Sequence, residues 1–268
     1  MFKLTSYKKI KYFEITELKN FGVKAIFTSK IGGISSNNYA ELNLGLHTSD
    51  KSKNVIENRR LISEAIDIDY HDLIAAEQIH GNKIYRVLAS DKGRGALNLD
   101  TVIEGIDGLI TDVKDLPLIS FYADCVPIYL YDPVYKAVGL AHSGWKGTVL
   151  KIVTRMLERM EDEFGTRPAD CLVAIGPSIS ANNYEVDDRV FNSFKKTNLP
   201  LHKFFRKNND GKYQLDLWKA NEIILRNKGI PSEQIIQSKL CTYSHSDLFY
   251  SYRRDGKNTG RMASIIVL

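Results

Sequence analysis

Residues 126–141 constrain this chain more than any other stretch. Val126 to Tyr131 and Ala137 to Ala141 are two apolar runs of strand length, separated by the turn residues Asp132–Pro133, which reads as a β-hairpin. An antiparallel hairpin lays the start of its first strand beside the end of its second. Cys125 lies seven residues before Asp132, and His142 nine residues after Pro133. Near-equal arms therefore bring a thiol and an imidazole together.

The other elements fit around that hairpin. Val23–Ser29 and Lys83–Leu88 read as strands, and Asp107–Thr111 and Leu116–Ser120 as short strands around a turn. Cys171–Ile175 and Ala263–Val267 are apolar runs of the buried-strand kind. Helices are expected over Ser52–Ile66, capped by Ser52, over Thr148–Phe164, and over Leu217–Asn227, which Gly229 and Pro231 end. Regular βαβ alternation is not maintained, so the expected class is α+β with mixed sheets. At 268 residues, with 43% hydrophobic and 26% charged content, the chain buries a real core, and disorder, collagen and coiled coil are excluded. It has no repeat and no linker, and is expected to be one domain over 1–268.

The charge balance is mildly basic, 37 Lys and Arg against 32 Asp and Glu. Basic residues cluster at Lys8–Lys11 and at Lys195–Lys207, neither interleaved with aromatics in a way that tracks a nucleic-acid strand, so the chain is not expected to bind nucleic acid. No apolar run is long enough for a membrane span, and residues 1–20 lack the apolar core of a signal peptide. Three widely spaced cysteines, Cys125, Cys171 and Cys241, do not make a disulfide framework; a cytoplasmic protein with reduced thiols is expected.

A Cys–His pair suits two chemistries. One is a cysteine nucleophile activated by its imidazole. The other is zinc held by one thiolate and two imidazoles, for which His80, in Gln78–Ile79–His80–Gly81, is the best-placed third ligand. His47, His71, His202 and His245 read as ordinary surface or core residues. A four-copper oxidase needs about ten imidazoles, usually in His-x-His pairs; six histidines and no such pair exclude it. Anion donors are plentiful: the Gly144–Trp145–Lys146–Gly147 loop before a helix, Gly176–Pro177–Ser178, and Arg253–Arg254 beside Tyr250 and Tyr252. There is neither a Walker motif nor a GxGxxG.

Several motifs occur in one order: Leu42–Asn43–Leu44–Gly45, Gln78–Ile79–His80–Gly81, Asp107–Gly108–Leu109–Ile110–Thr111, Asp124–Cys125–Val126–Pro127, Ala141–His142–Ser143–Gly144–Trp145–Lys146–Gly147–Thr148, Ile175–Gly176–Pro177–Ser178, Tyr184–Glu185–Val186 and Phe249 to Gly256. Together they resemble the YfiH/YlmD family, whose members carry the labels "laccase domain" and "polyphenol oxidase". The resemblance implies a layered α/β/β/α fold like that of bacterial deamidase toxins, and zinc, with copper as the other metal, on His80, Cys125 and His142. It also implies phosphorolysis of adenosine, inosine and methylthioadenosine, adenosine deamination and, in some members, peptidoglycan editing. The partners expected are a purine nucleoside and phosphate, with no membrane, in a monomer or homodimer. On this reading Asp124 is a general base or supports the ligands, Asn43 contacts ribose or base, and Arg59, Lys146 or Arg253 holds phosphate. Lys146 departs from the family's usual arginine, weakening a bidentate contact, and Ser178 stands where many relatives carry cysteine. The alternatives are a metal-free cysteine amidohydrolase on Cys125 and His142, acting on a glutamine or muropeptide amide, and a partner-binding protein with a vestigial site.

Overall fold

The structure, a computed structural model, describes residues 1–268. The hairpin forms as expected. β8 (Val126–Asp132) pairs antiparallel with β9 (Ala137–Ser143), in a register that sets Val126 opposite Ser143 and Pro127 opposite His142. It is the centre of a six-stranded sheet in the order β14 (Ile235–Gln237), β10 (Leu172–Ile175), β8, β9, β6 (Gly108–Thr111), β5 (Ile84–Arg86). A second six-stranded sheet runs β1 (Phe2–Tyr7), β2 (Ile10–Ile15), β3 (Lys24–Thr28), β15 (Met262–Val267), β7 (Leu118–Tyr122), β4 (Ile74–Ala75). The β10/β14, β5/β6 and β4/β7 pairs are parallel and the rest antiparallel, so both sheets are mixed. A small third sheet joins β11 (Glu185–Val186), β13 (Tyr213–Leu215) and β12 (Phe205–Lys207).

Side-chain alternation explains the layers. Along β8, Val126, Ile128 and Leu130 face one way, packing with helix α4 (Ile152–Phe164) and helix α6 (Leu217–Asn227). Tyr129 and Tyr131 face the other way, toward Leu118 and Ile266 of the second sheet. The Tyr129 hydroxyl donates across the gap, with Ile26 O and Ser264 Oγ both at 2.7 Å. Helix α2 (Ser52–Ala65) covers the outer face of the second sheet, setting Ile62 among Ile26, Ile119 and Ile265. The result is an α/β/β/α stack. Gly139 of β9 lets α4 approach, since a Cβ there would lie 2.8 Å from Met156 Sδ. Short helices α1 (Thr16–Lys19), α5 (Asp188–Lys195) and α7 (Tyr252–Asp255) complete the chain with α3 (Trp145–Val149).

Three local expectations are corrected. The helix expected over Thr148–Phe164 is two helices, broken where Lys151 takes the left-handed conformation (φ 54°) and the Asn82 side chain caps Leu150 O at 3.0 Å. Ser52 is the first helical residue rather than the cap, because Lys51 holds the extended cap position. Asp107–Thr111 and Leu116–Ser120 do not flank a simple turn: β6 pairs with β9 and β7 with β15, so the connection crosses between sheets.

Candidate metal centre

β8 begins one residue after Cys125 and β9 ends one residue after His142. Their pairing therefore carries both side chains to one end of the sheet. His80 arrives from the loop before β5, in the left-handed region (φ 61°) that aims it at the pair. The ligand atoms of His80, Cys125 and His142 all lie within 4.8 Å of one another. The His80 and His142 rings sit edge to face at 4.7 Å between centroids. His142 is buried, Cys125 partly buried and His80 exposed. The site is thus open on one side.

Asp107 organises this arrangement, and the sequence reading gave it no role. Its Oδ1 lies 2.8 Å from His142 Nδ1 and accepts from His80 N at 2.9 Å, while Oδ2 accepts from Gly81 N at 2.6 Å and Ile79 N at 3.2 Å. One carboxylate thus orients one imidazole and fixes the strained turn that carries the other. With Nδ1 facing a carboxylate, Nε2 of His142 is the nitrogen left to act as a ligand. Gln78 ties the same loop to β7 through Phe121, donating to its O at 2.9 Å and accepting from its N at 2.8 Å. The signal for Asp107 lay in the Asp–Gly opening a buried strand, but only tertiary contact shows its partners.

Gly144 supplies space. A Cβ there would lie 2.9 Å from Cys125 Sγ and 3.2 Å from His80 Cδ2. Beneath it, Ser143 Oγ donates to Asn221 Oδ1 at 2.8 Å and Thr148 Oγ1 donates to Gly144 O at 2.9 Å, fixing the loop on α6. Burial raises the Cys125 thiol pKa, but the His142 and His80 imidazoles outweigh it and bring it to about 6. Burial lowers the His142 value, and the Cys125 charge and the Asp107 hydrogen bond more than reverse that, to about 9. A thiolate beside two imidazoles, one locked by a carboxylate, fits a divalent zinc-type ion with an open position.

The other expected residues are placed differently. Asp124 (φ 97°) is buried and turned into the start of α7. It accepts from Thr242 Oγ1 at 2.6 Å, Arg253 N at 2.7 Å and Ser251 Oγ at 3.0 Å, and burial raises its pKa despite these bonds. It holds the loop that precedes Cys125. Asn43 is fully buried, its Oδ1 accepting from Gly45 N and Arg261 N and its Nδ2 donating to Thr48 and Asp50. Arg59 is also buried. Its Nε donates to Leu44 O and its Nη1 to Gly95 O and Ala96 O, with the guanidinium 4.8 Å from the Phe121 ring. Lys146 is exposed on α3 beside Trp145, and Arg253 lies over the Tyr184 ring with Nη1 donating to Glu185 O at 2.7 Å. Ser178 Oγ accepts from Trp218 Nε1 and stands outside the ligand trio.

Residues 24–268 match the family model described as "Multi-copper polyphenol oxidoreductase laccase". The donor inventory does not support a multicopper site: His80, Cys125 and His142 are the one group of three close metal-ligating side chains. The chain is 43% identical over 253 residues to "Purine nucleoside phosphorylase YlmD" of Bacillus subtilis (strain 168), covering 94% of this chain and 90% of that protein. It is 35% identical over 242 residues to "Purine nucleoside phosphorylase" of Bacteroides thetaiotaomicron, covering 90% of each. The crystal structure of the Bacillus licheniformis hypothetical protein YfiH superposes with a TM-score of 0.94 at 40% identity, over 99% of this chain and 98% of that one. That of YlmD from Geobacillus stearothermophilus gives 0.94 at 37% identity, over 100% and 99%. With fold and sequence in agreement over nearly the whole length, the chain belongs to the YlmD/YfiH family of laccase-like domains.

Proposed function

We propose that this chain is a metal-dependent purine nucleoside phosphorylase, cleaving adenosine, inosine and methylthioadenosine with phosphate, and that it also deaminates adenosine. The observation that carries the reading is the His80–Cys125–His142 trio with Asp107 locking His142, in a chain whose relatives are named purine nucleoside phosphorylases. His80, Cys125 and His142 would hold zinc, with copper as the other candidate. When bound, such a metal supplies Lewis acidity to an oxygen placed beside it. The protein's own part is to orient. Asp107 occupies Nδ1 of His142 and so leaves Nε2 as its ligand atom, and Gly144 leaves room for the thiolate. In phosphorolysis a phosphate oxygen forms a bond to ribose C1′, the C1′–N9 bond breaks, and the purine leaves as it gains a proton. In deamination water adds at C6 and ammonia leaves. Three free cysteines suit a reducing compartment such as the cytoplasm, and no helix is long and apolar enough to cross a membrane.

One observation favours a second reading. Asp107, His142 and Cys125 stand in the order of an acid–base–nucleophile triad, as a metal-free cysteine amidohydrolase requires. His80 separates the two. Metal content by mass spectrometry, with phosphate-dependent loss of inosine, is compared for wild type, His80→Ala and Cys125→Ala. The phosphorylase reading expects about one metal per chain, with metal and activity lost in both variants. A metal-free wild type whose amidase activity survives His80→Ala overturns it.

A further inference from the structure

Two arginines near this centre are at least half-buried and lack a carboxylate partner. Arg59 is buried with only carbonyls and the Phe121 ring for company. Arg261, half-buried just before β15, makes no ion pair; the Cys125 thiolate and the Asp124 carboxylate act on it only through space. Its Nη1 donates to Thr259 O at 2.7 Å and Gly260 O at 2.9 Å. The Nε–Nη2 edge, the side of a guanidinium that grips an oxyanion with two parallel bonds, has no partner in the protein. That edge is left to solvent rather than sealed in the protein, so an oxyanion can reach it and be gripped there.

His47 faces it. Its ring stands edge-on to Phe121 at 5.8 Å, and neither ring nitrogen has a hydrogen-bond partner. Gly45 lets the two meet: a Cβ there would lie 2.9 Å from Arg261 Cγ and 3.1 Å from His47 Cε1. Asn43 Oδ1 holds both sides in place, accepting from Gly45 N at 3.2 Å and Arg261 N at 2.9 Å. The register of β15 against β7 pairs Met262 with Tyr122. Arg261 therefore lies at the end of the sheet from which the chain runs directly to Cys125, and the Tyr122 ring is 5.5 Å from that of His142.

We propose that the Nε–Nη2 edge of Arg261 and the His47 imidazole form the subsite that takes the phosphate co-substrate beside the Cys125–His142 centre. Asn43 and Gly45 are its positioning residues, and Arg59 lends positive potential from behind Phe121. The assignment rests on the phosphorylase reading and replaces Arg59, Lys146 and Arg253 as the phosphate holder. Calorimetric titration of inorganic phosphate into the metal-loaded full chain tests it without turnover, and steady-state phosphate and inosine KM values are read in parallel. Arg261→Met is expected to weaken phosphate binding and raise the phosphate KM by at least ~10-fold, with inosine KM nearly unchanged and Arg261→Lys recovering part of the loss. A folded, metal-loaded Arg261→Met that binds phosphate like wild type overturns the subsite. Should that variant not fold, His47→Gln, which removes no hydrogen bond, decides by the same titration. Wild type that binds phosphate through Arg261 but leaves nucleosides intact sinks the phosphorylase reading and keeps the subsite.

Discussion

Gly144 and Asp107 show how little the identity of a ligand fixes without its neighbours. Gly144→Ala puts a methyl group 2.9 Å from Cys125 Sγ and 3.2 Å from His80 Cδ2, so both side chains must move. The expected result is about 10- to 100-fold weaker metal binding, measured by chelator competition; wild-type affinity would show the loop yields freely. Titration is also decided here. In the metal-free chain the Cys125 thiol falls from its ordinary 9.0 to about 6, burial raising it and the His142 and His80 imidazoles lowering it further. Its contribution to stability is full above pH 9 and lost as pH drops through about 6. His142, raised to about 9 despite burial by Cys125 and Asp107, contributes fully below 6.5 and loses that as pH climbs through about 9. Iodoacetamide labelling of Cys125 in metal-stripped protein, followed by peptide mass spectrometry, should rise with a midpoint near pH 6. Cys171, which burial pushes up to about 12, should stay slow. A Cys125 midpoint near 9 would remove the imidazoles from any role in activating it.

At the scale of elements, the apolar runs of β8, β9, β10 and β15 were legible because both faces of each strand are covered, which leaves an uninterrupted hydrophobic signature. The N-terminal hairpin of β1 and β2 was missed: β1 is an edge strand exposed at all but Phe2 and Thr5, so it shows no alternation, and Lys3, Lys8 and Lys9 dilute what apolar pattern there is. The third sheet was missed for another reason, its strands being only two or three residues long. Packing between the sheets depends on few polar links. Tyr129→Phe leaves Ile26 O without the hydroxyl that donates to it and Ser264 Oγ without its partner, at an expected cost of about 1–3 kcal/mol. Urea unfolding measures this; no change in midpoint would mean the hydroxyl is not a link between the sheets.

Across the whole molecule, the trio draws together three separate pieces of chain: the Glu77–Gly81 loop, the segment leading into β8 and the end of β9. A metal held there would act as a clasp. With free metal at 1,000 times its Kd, linkage adds about 4 kcal/mol, or roughly 10 °C in Tm for a chain of this size. Chelation should remove that increment from wild type and nothing from Cys125→Ala, as calorimetry would reveal; equal shifts in both would place the metal elsewhere. The sequence alone determined the hairpin, because apolar periodicity and turn residues are local, and hence the meeting of Cys125 with His142. Its ordered motifs also carried the α/β/β/α class and His80. Only the tertiary structure decided that Asp107 holds the His142 imidazole and the main chain at His80, that Asn43 and Arg59 are committed to bonds within the protein, and that Arg261 comes from the far end of the chain to meet His47. Those are contacts between residues distant in sequence, set by which strands lie side by side, and no local pattern of side chains encodes them.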